Sequence, residues 1–340
     1  MTKILVDAFG GDNSPSEIIA GALSALDENK NFHLVLVGKQ DIIEKELENY
    51  SFDSGRVSIL NADEVITCEE EPTLAIRRKV NSSISVAFKE LKENEEAGAF
   101  VSAGSTGAVL VGATLKLGRI KGVNRPALCP SLPTFIEGKQ VLLLDSGANA
   151  DCKPINLVQF AIMGSAYAES MGVKNPKVAL LSNGTEDEKG NALNHEVFPV
   201  LKSLKSVNFV GNCEARDILS GEYDVVVADG FSGNIALKSM EGAIGVVLKS
   251  IKQGVYGSIK GKIGGLFLKK TFSSLKNKLD YNNKGGALFL GVNKPVIKAH
   301  GSSKRLAIKN TVLQAVEYST FNISEKISNK LSLEEITFGE

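Results

Sequence analysis

The sequence predicts a three-layer α/β/α fold on a mostly parallel, doubly wound sheet, and three observations carry that expectation. Short apolar runs of strand length alternate with longer segments of helical periodicity, the pattern of successive βαβ units. Six of those runs break at their carboxyl ends into glycine-rich, small-polar loops, which an open parallel sheet would gather along one edge. With 43% hydrophobic and 23% charged residues over 340 positions, the chain can bury a large core as one soluble domain, 1–340, carrying a helical insert at 243–280.

The first unit runs from a strand at 3–6 through Ser14-Pro15-Ser16-Glu17, which reads as a capping box with serine at N-cap, proline at N1 and glutamate at N3. Ile18, Ile19, Ala22, Leu23 and Leu26 then recur at helical spacing, and 32–37 is the next strand. A short polar helix at 41–48 and a strand at 56–60 follow. A long helix is expected at 73–93, with Arg77, Arg78 and Lys79 near its opening, where cations oppose the helix dipole. The strand at 99–101 leads through SAGSTGA into a helix of small apolar residues reaching Lys116, a composition that implies burial. Between 132 and 144 two apolar runs flank Glu137-Gly138, a hairpin signal that puts an antiparallel element into the sheet. Pro154 opens a helix ending near Gly172, and strands at 178–181, 207–210 and 224–228 continue the alternation.

The formal charge is zero, so the molecule as a whole carries no field for nucleic acid. One local patch stands out: no acidic residue lies between Glu241 and Asp280, whereas Lys249, Lys252, Lys260, Lys262, Lys269, Lys270, Lys276 and Lys278 do. Interleaved Ile251, Val255, Ile259, Ile263, Leu266, Phe267, Leu268, Phe272 and Leu275 suit an anionic membrane surface, an acidic protein partner or a dimer contact. The opening MTKILVDAFGG enters a strand without a signal-peptide pattern, and no apolar run is long enough to span a bilayer, so a cytoplasmic location is expected. Four scattered cysteines show no metal-ligand spacing, and neither a metal nor a cofactor is expected.

The loops hold the candidate site. They contribute Asp7, Gly10, Gly11 and Asp12 from the first; Ser102, Gly104, Ser105, Thr106 and Gly107 from the second; and Asp145 and Asn149 from the third. Gly190 belongs to the fourth, Asp229, Gly230, Ser232, Gly233 and Asn234 to the fifth, and His300, Gly301 and Ser302 to the sixth. Glycine admits an oxyanion close to backbone N–H groups, and helix N-termini favour phosphate, so together these loops predict one anion-binding cleft. The alternative is that such turns carry Gly, Ser, Asn and Asp for steric and capping reasons alone. Lys189, set among carboxylates in NGTEDEKGN, serves either as a fixed cation for phosphate or an oxyanion, or as part of a solvated surface loop. Arg77 and Lys79 are further candidate anion ligands. Asp7, Asp145 and Asp229 each end a strand and either order loops or exchange protons; His300 is the acid–base or oxyanion candidate, or a helix cap. Lys189, His300 and Asp229 form the candidate catalytic set. Cys152 at a helix start is a weaker nucleophile candidate. G-x-G-x-x-G after the first strand, G-x-x-x-x-G-K-[ST] and G-x-S-x-G are all absent, which removes the usual signatures of dinucleotide, P-loop and serine-hydrolase chemistry.

In order, VDAFGGD, EEEPTLAIRRK, SAGSTGA, GVNRPAL, DSGANADCKP, LSNGTEDEKGN, GNCEARDI, DGFSGN and IKAHGSS closely resemble the acyl-ACP:phosphate acyltransferases of phospholipid synthesis, the PlsX family, almost end to end. Phe9, Ser105 and Ser146 depart from the family's frequent residues. The resemblance implies that inorganic phosphate attacks the thioester of an acyl chain on acyl carrier protein. It also implies a fold related to phosphate acetyltransferase and isopropylmalate dehydrogenase, a homodimer, and peripheral attachment to the inner face of the cytoplasmic membrane. Two other readings stand beside it: a metal- and NAD-dependent decarboxylating dehydrogenase on the related fold, and a non-catalytic membrane scaffold.

Overall fold

The first βαβ unit forms where the apolar spacing requires it. β1 (Thr2–Asp7) and β2 (Phe32–Gly38) pair in parallel, and α1 (Ser16–Glu28) buries Ile18, Ile19, Ala22, Leu23 and Leu26 against them. The computed structural model describes residues 1–279 and 285–338, with the side chains of 256, 259, 260 and 275–279 undescribed. Of the basic stretch, Lys260, Lys276, Lys278 and Asp280, with Ile259 and Leu275, therefore lie outside what is described.

The expected capping box does not form. Pro15 is already helical at φ −85° and ψ −18°, so the cap position falls on a residue with no side-chain oxygen. The Ser14 hydroxyl bonds the carbonyls of Phe9 at 3.2 Å and Gly11 at 2.9 Å, and Glu17 accepts the Arg305 N–H at 2.7 Å, capping a different helix.

After α2 (Gln40–Leu47) and β3 (Val57–Asn61), the expected helix at 73–93 is two helices, α3 (Pro72–Arg78) and α4 (Ser83–Glu93). Ser82 makes the break: its hydroxyl donates to the Lys79 carbonyl at 2.8 Å and accepts the Ser85 N–H at 3.3 Å, ending one helix and starting the next. Arg77 and Arg78 consequently stand in the last turn of α3, where the dipole favours cations, the reverse of the expected placement.

β4 (Ala97–Ser102) leads into α5 (Thr106–Gly112), and β5 (Ala127–Cys129) into β6 (Ser131–Pro133), which pairs antiparallel with β7 (Gln140–Leu144) across the Glu137-Gly138 turn, as the hairpin signal indicates. Then follow α6 (Pro154–Ser170), β8 (Lys177–Ser182), α7 (Ala192–Ser203), β9 (Asn208–Glu214) and β10 (Val225–Val227). α8 (Gly230–Tyr256) and α9 (Ile259–Leu279) cover the 243–279 part of the expected insert; β11 (Ala287–Leu290), β12 (Val296–Lys298), α10 (Arg305–Tyr318) and α11 (Ile323–Ser332) follow.

The strands divide into two sheets, of order β3-β2-β1-β4-β12-β11-β5 and β6-β7-β10-β8-β9, parallel except around β11 and at β6. Twisted open sheets rarely exceed about 10 strands without splitting, and the described residues hold 12. The 127–133 segment joins them: Cys129 pairs with Leu288 in one sheet and Ser131 with Leu142 in the other. One apolar core runs through both, from Val6 and Val101 to Leu144 and Val227. Tyr167 on α6 and Tyr318 on α10 meet edge-on in it, their hydroxyls hydrogen-bonded and their centroids 5.5 Å apart. Among the described residues, no helix is long and apolar enough to cross a membrane.

Candidate active site

Three of the six loops leave each sheet, and on each sheet a buried aspartate orders part of the loop group. On the seven-stranded sheet, Asp7 ends β1 and is 1% exposed. Its carboxylate accepts the Ser102 hydroxyl at 2.7 Å and the Phe9 N–H at 3.2 Å, and Ser102 Oγ accepts the Gly104 N–H at 3.0 Å. This ties the β1 and β4 loops together. Gly10 is required there, because a Cβ would lie 2.6 Å from both Asp7 Oδ2 and the Gly104 nitrogen. The Asp12 N–H donates to the Gly301 carbonyl at 2.9 Å, adding the β12 loop to the same rim. Burial pushes the Asp7 carboxyl above its usual range, against the pull of the Ser83 and Ser102 hydroxyls.

On the five-stranded sheet, Asp145 follows β7 and is fully buried. It accepts five hydrogen bonds: from the N–H groups of Leu128, Gly147, Ala148 and Asn149 at 2.9, 3.3, 3.1 and 2.6 Å, and from the Asn149 amide at 2.9 Å. Burial raises its pKa while these donors lower it. Asp229 caps α8 by accepting the Ser232 N–H at 2.8 Å, and the Gly230 N–H donates to the Asn149 carbonyl at 2.8 Å. All three strand-end aspartates thus accept loop or hydroxyl protons and hold the loops in register.

Between the rims opens a cavity of about 770 Å³. Of the sequence candidates, Thr106, Asn234, His300 and Gly301 line it, with Ser146 and Gly147 from the Asp145 loop. His300 Nδ1 accepts the Ser302 N–H at 3.2 Å and lies 2.8 Å from the Ser302 hydroxyl. A backbone amide can only donate, so the neutral ring carries its proton on Nε2. Burial, then Lys238 and Lys298, lower the imidazole's pKa and favour this neutral form.

α8 walls the cavity on one side with Asn234, Leu237 and Lys238, residues at helical spacing. Its other face, with Ser232, Ile235, Ala236 and Met240, lines a second, more apolar opening of about 740 Å³ together with Gly190, Asn191 and Asp229. The loop carrying Lys189 belongs to that second opening: Lys189 is exposed, and its N–H donates to the Glu186 carbonyl at 3.0 Å. Lys189 and His300 are therefore not brought to one cavity. Lys79 is also engaged elsewhere, donating to Glu70 and to the Val65 carbonyl, both at 2.8 Å. Arg77 is exposed at the end of α3. Ser105 caps α5 through a long bond of 3.4 Å from the Ala108 N–H, while Gly107 packs against Pro72. Burial pushes the Cys152 thiol up to about 11, which leaves little thiolate for nucleophilic attack.

Lys298 is a lining residue that sequence reasoning missed, as are Lys238 and Glu241. It ends β12, is 8% exposed and borders the cavity. The available signal was a lysine inside the apolar run PVIKA, where a charge on a central strand has no structural reason. Among the described residues, no three His, Cys, Asp or Glu side chains are grouped to hold a metal ion.

The family described as fatty acid synthesis protein matches residues 2–326. A phosphate acyltransferase of Clostridium tetani is 45% identical over 332 residues, covering 97% of this chain and 98% of the relative. One from Lactiplantibacillus plantarum is 47% identical over 318 residues, covering 92% and 90%. Among solved structures, a phosphotransacetylase from Streptococcus pyogenes superposes with TM-score 0.60 at 18% identity, covering 93% of this chain and 94% of that one. A 4-hydroxythreonine-4-phosphate dehydrogenase from Klebsiella pneumoniae superposes with TM-score 0.52 at 13% identity, covering 94% and 98%. At those identities the structural likeness establishes the fold alone.

Proposed function

This chain belongs to the phosphate acyltransferase family, and from that premise we propose that it transfers an acyl group from the thioester of acyl carrier protein to inorganic phosphate, giving an acyl phosphate for phospholipid synthesis. The observation that carries this reading is the cavity between the two rims, where Thr106, Ser146, Gly147, Asn234, His300 and Gly301 converge. Phosphate near neutrality is already partly dianionic, so it needs positioning more than deprotonation. Holding it against a carbonyl in attack geometry is worth roughly 7–11 kcal/mol in favourable cases. A phosphate oxygen bonds to the carbonyl carbon, the C–S bond breaks, and the carrier thiolate leaves. The Nε2–H of neutral His300 is suited to donate to the oxyanion that forms between those events.

Incubating the protein with an acyl-carrier thioester should give acyl phosphate, detected by mass spectrometry, only when phosphate is present. Thioester loss independent of phosphate, or no loss at all, would remove this reading. Reduction of added NAD with Mn²⁺ and a hydroxy acid would favour the dehydrogenase instead.

We propose further that the enzyme lies in the cytoplasm, as a homodimer touching the inner face of the membrane through its insert. The support is an exposed apolar surface: Val246 and Val247 on α8 and Ile263, Leu266 and Phe267 on α9 are all at least half exposed, with Lys262, Lys269 and Lys270 beside them in sequence. Such interleaving binds anionic lipid by apolar burial plus charge. Phe267→Glu with Leu268→Glu is expected to abolish co-flotation with anionic vesicles while leaving turnover on soluble substrate intact; undiminished flotation would exclude this segment as the anchor. A monomer in sedimentation equilibrium at micromolar concentration would exclude the dimer.

A further inference from the structure

We infer that Lys298 is the cation that binds the phosphate, its ammonium contacting the anion from the floor of the 770 Å³ cavity, a role the reading above leaves unfilled and on which this inference rests. A buried lysine is ordinarily ion-paired, or its stem carries the charge out to water. Lys298 does neither. It is 8% exposed, and among the described residues no carboxylate lies within ion-pair distance of it. Its Nζ donates to the carbonyls of Ala103, at 3.3 Å, and Ala299. An ammonium has three N–H donors, so one is left without a protein partner on a side chain that borders the cavity. A buried cation bonded only to neutral carbonyls is costly until an anion reaches it, and a phosphate dianion is such an anion.

The surroundings support the same assignment. Cys68 before α3, Asp7 on β1 and Asp12 in the following loop are the acidic groups near the ammonium that act against its burial. Asp7 is the poorer counter-ion, since burial raises its own pKa and the Ser102 hydroxyl occupies its Oδ2. Of the cavity's carboxylates, Glu241 is paired with Lys238 at 2.9 Å, and Glu317 lies on α10. His300, two residues on, is held neutral and adds no second cation. Burial lowers the Lys298 pKa to about 8, so the free protein carries this charge at pH 7 and loses it as pH rises.

The test compares Lys298→Met and Lys298→Arg with the parent, in turnover and in stabilisation by inorganic phosphate alone. Lys298→Met should raise the KM for phosphate by about 10- to 100-fold, the span of a charge-assisted bond, and leave the KM for the acyl thioester nearly unchanged. It should also lose the phosphate-induced rise in Tm, with Lys298→Arg restoring part of both. An unchanged phosphate KM in a folded Lys298→Met variant overturns the assignment, and so does an equal loss for both substrates. If neither variant folds, the parent decides: phosphate affinity should fall about tenfold per pH unit above about 8, where phosphate itself stays dianionic. Affinity that is flat from neutral to alkaline pH overturns the assignment. A parent that makes no acyl phosphate refutes the proposed function; a parent that makes it beside an unimpaired Lys298→Met variant refutes only this inference.

Discussion

Asp145→Ala is expected to destabilise the protein by about 3–5 kcal/mol, comparable to stripping one partner from a buried charged network. The substitution removes the acceptor of four backbone N–H groups and one side-chain amide, all of them part-buried or buried. Each buried donor left unpaired costs about 1–3 kcal/mol, and relaxation toward water recovers part of the sum. Native domains hold only about 5–15 kcal/mol in reserve, so the urea midpoint should drop sharply. Asp145→Asn keeps the shape but turns one acceptor into a donor facing Asn149, which already donates twice. It should therefore recover only a fraction of the loss. If Asp145→Ala unfolds within about 1 kcal/mol of the parent, the carboxylate is not what orders these loops.

Gly233→Ala should have the second largest effect, and its contrast is Gly242→Ala on the same helix. A Cβ at 233 would stand 1.9 Å from the Asp145 carbonyl oxygen, a backbone atom that cannot rotate away, so the start of α8 must move. Overpacking of this kind costs about 1–3 kcal/mol and sometimes more. Asn234 and Lys238, which line the cavity, would move with the helix. A displacement of about 1 Å at a reacting site can lower turnover about 100-fold. At Gly242 nothing lies within 4 Å of the added carbon, and alanine should stabilise the helix by up to about 1 kcal/mol. Equal stability and turnover for the two variants would show that the tight junction between α8 and the Asp145 loop is not what positions the cavity wall.

The Gly233 effect depends on a contact between loops far apart in the chain, as does the Leu128 bond to Asp145, and that is where sequence reading stops. The hairpin around Gly138 and the helix opened by Pro154 were legible because their signals are local: a turn dipeptide between apolar runs, and a proline where no N–H is needed. Local signals also misled where another partner won the same group. Glu17 has the spacing of a capping box yet caps α10, and Ser82 splits a segment whose periodicity alone continues. Of the candidate site, the strand-end loops were visible as glycine-rich breaks, and four of their residues meet in one cavity.

Composition, order and spacing by themselves determined the α/β/α class and the six strand-end loops, because each is written in neighbouring residues, while the family was legible only through the likeness of the ordered motifs to a known one. The tertiary structure alone decided that those loops leave two sheets, that α8 stands between the Lys189 loop and His300, and that a lysine of an apolar strand reaches the cavity. The physical reason is that burial and hydrogen-bond pairing are settled by what the fold brings within a few ångströms. For Lys298 and Gly233 the deciding neighbours, the Ala103 and Asp145 carbonyls, lie on other elements, beyond any window of sequence.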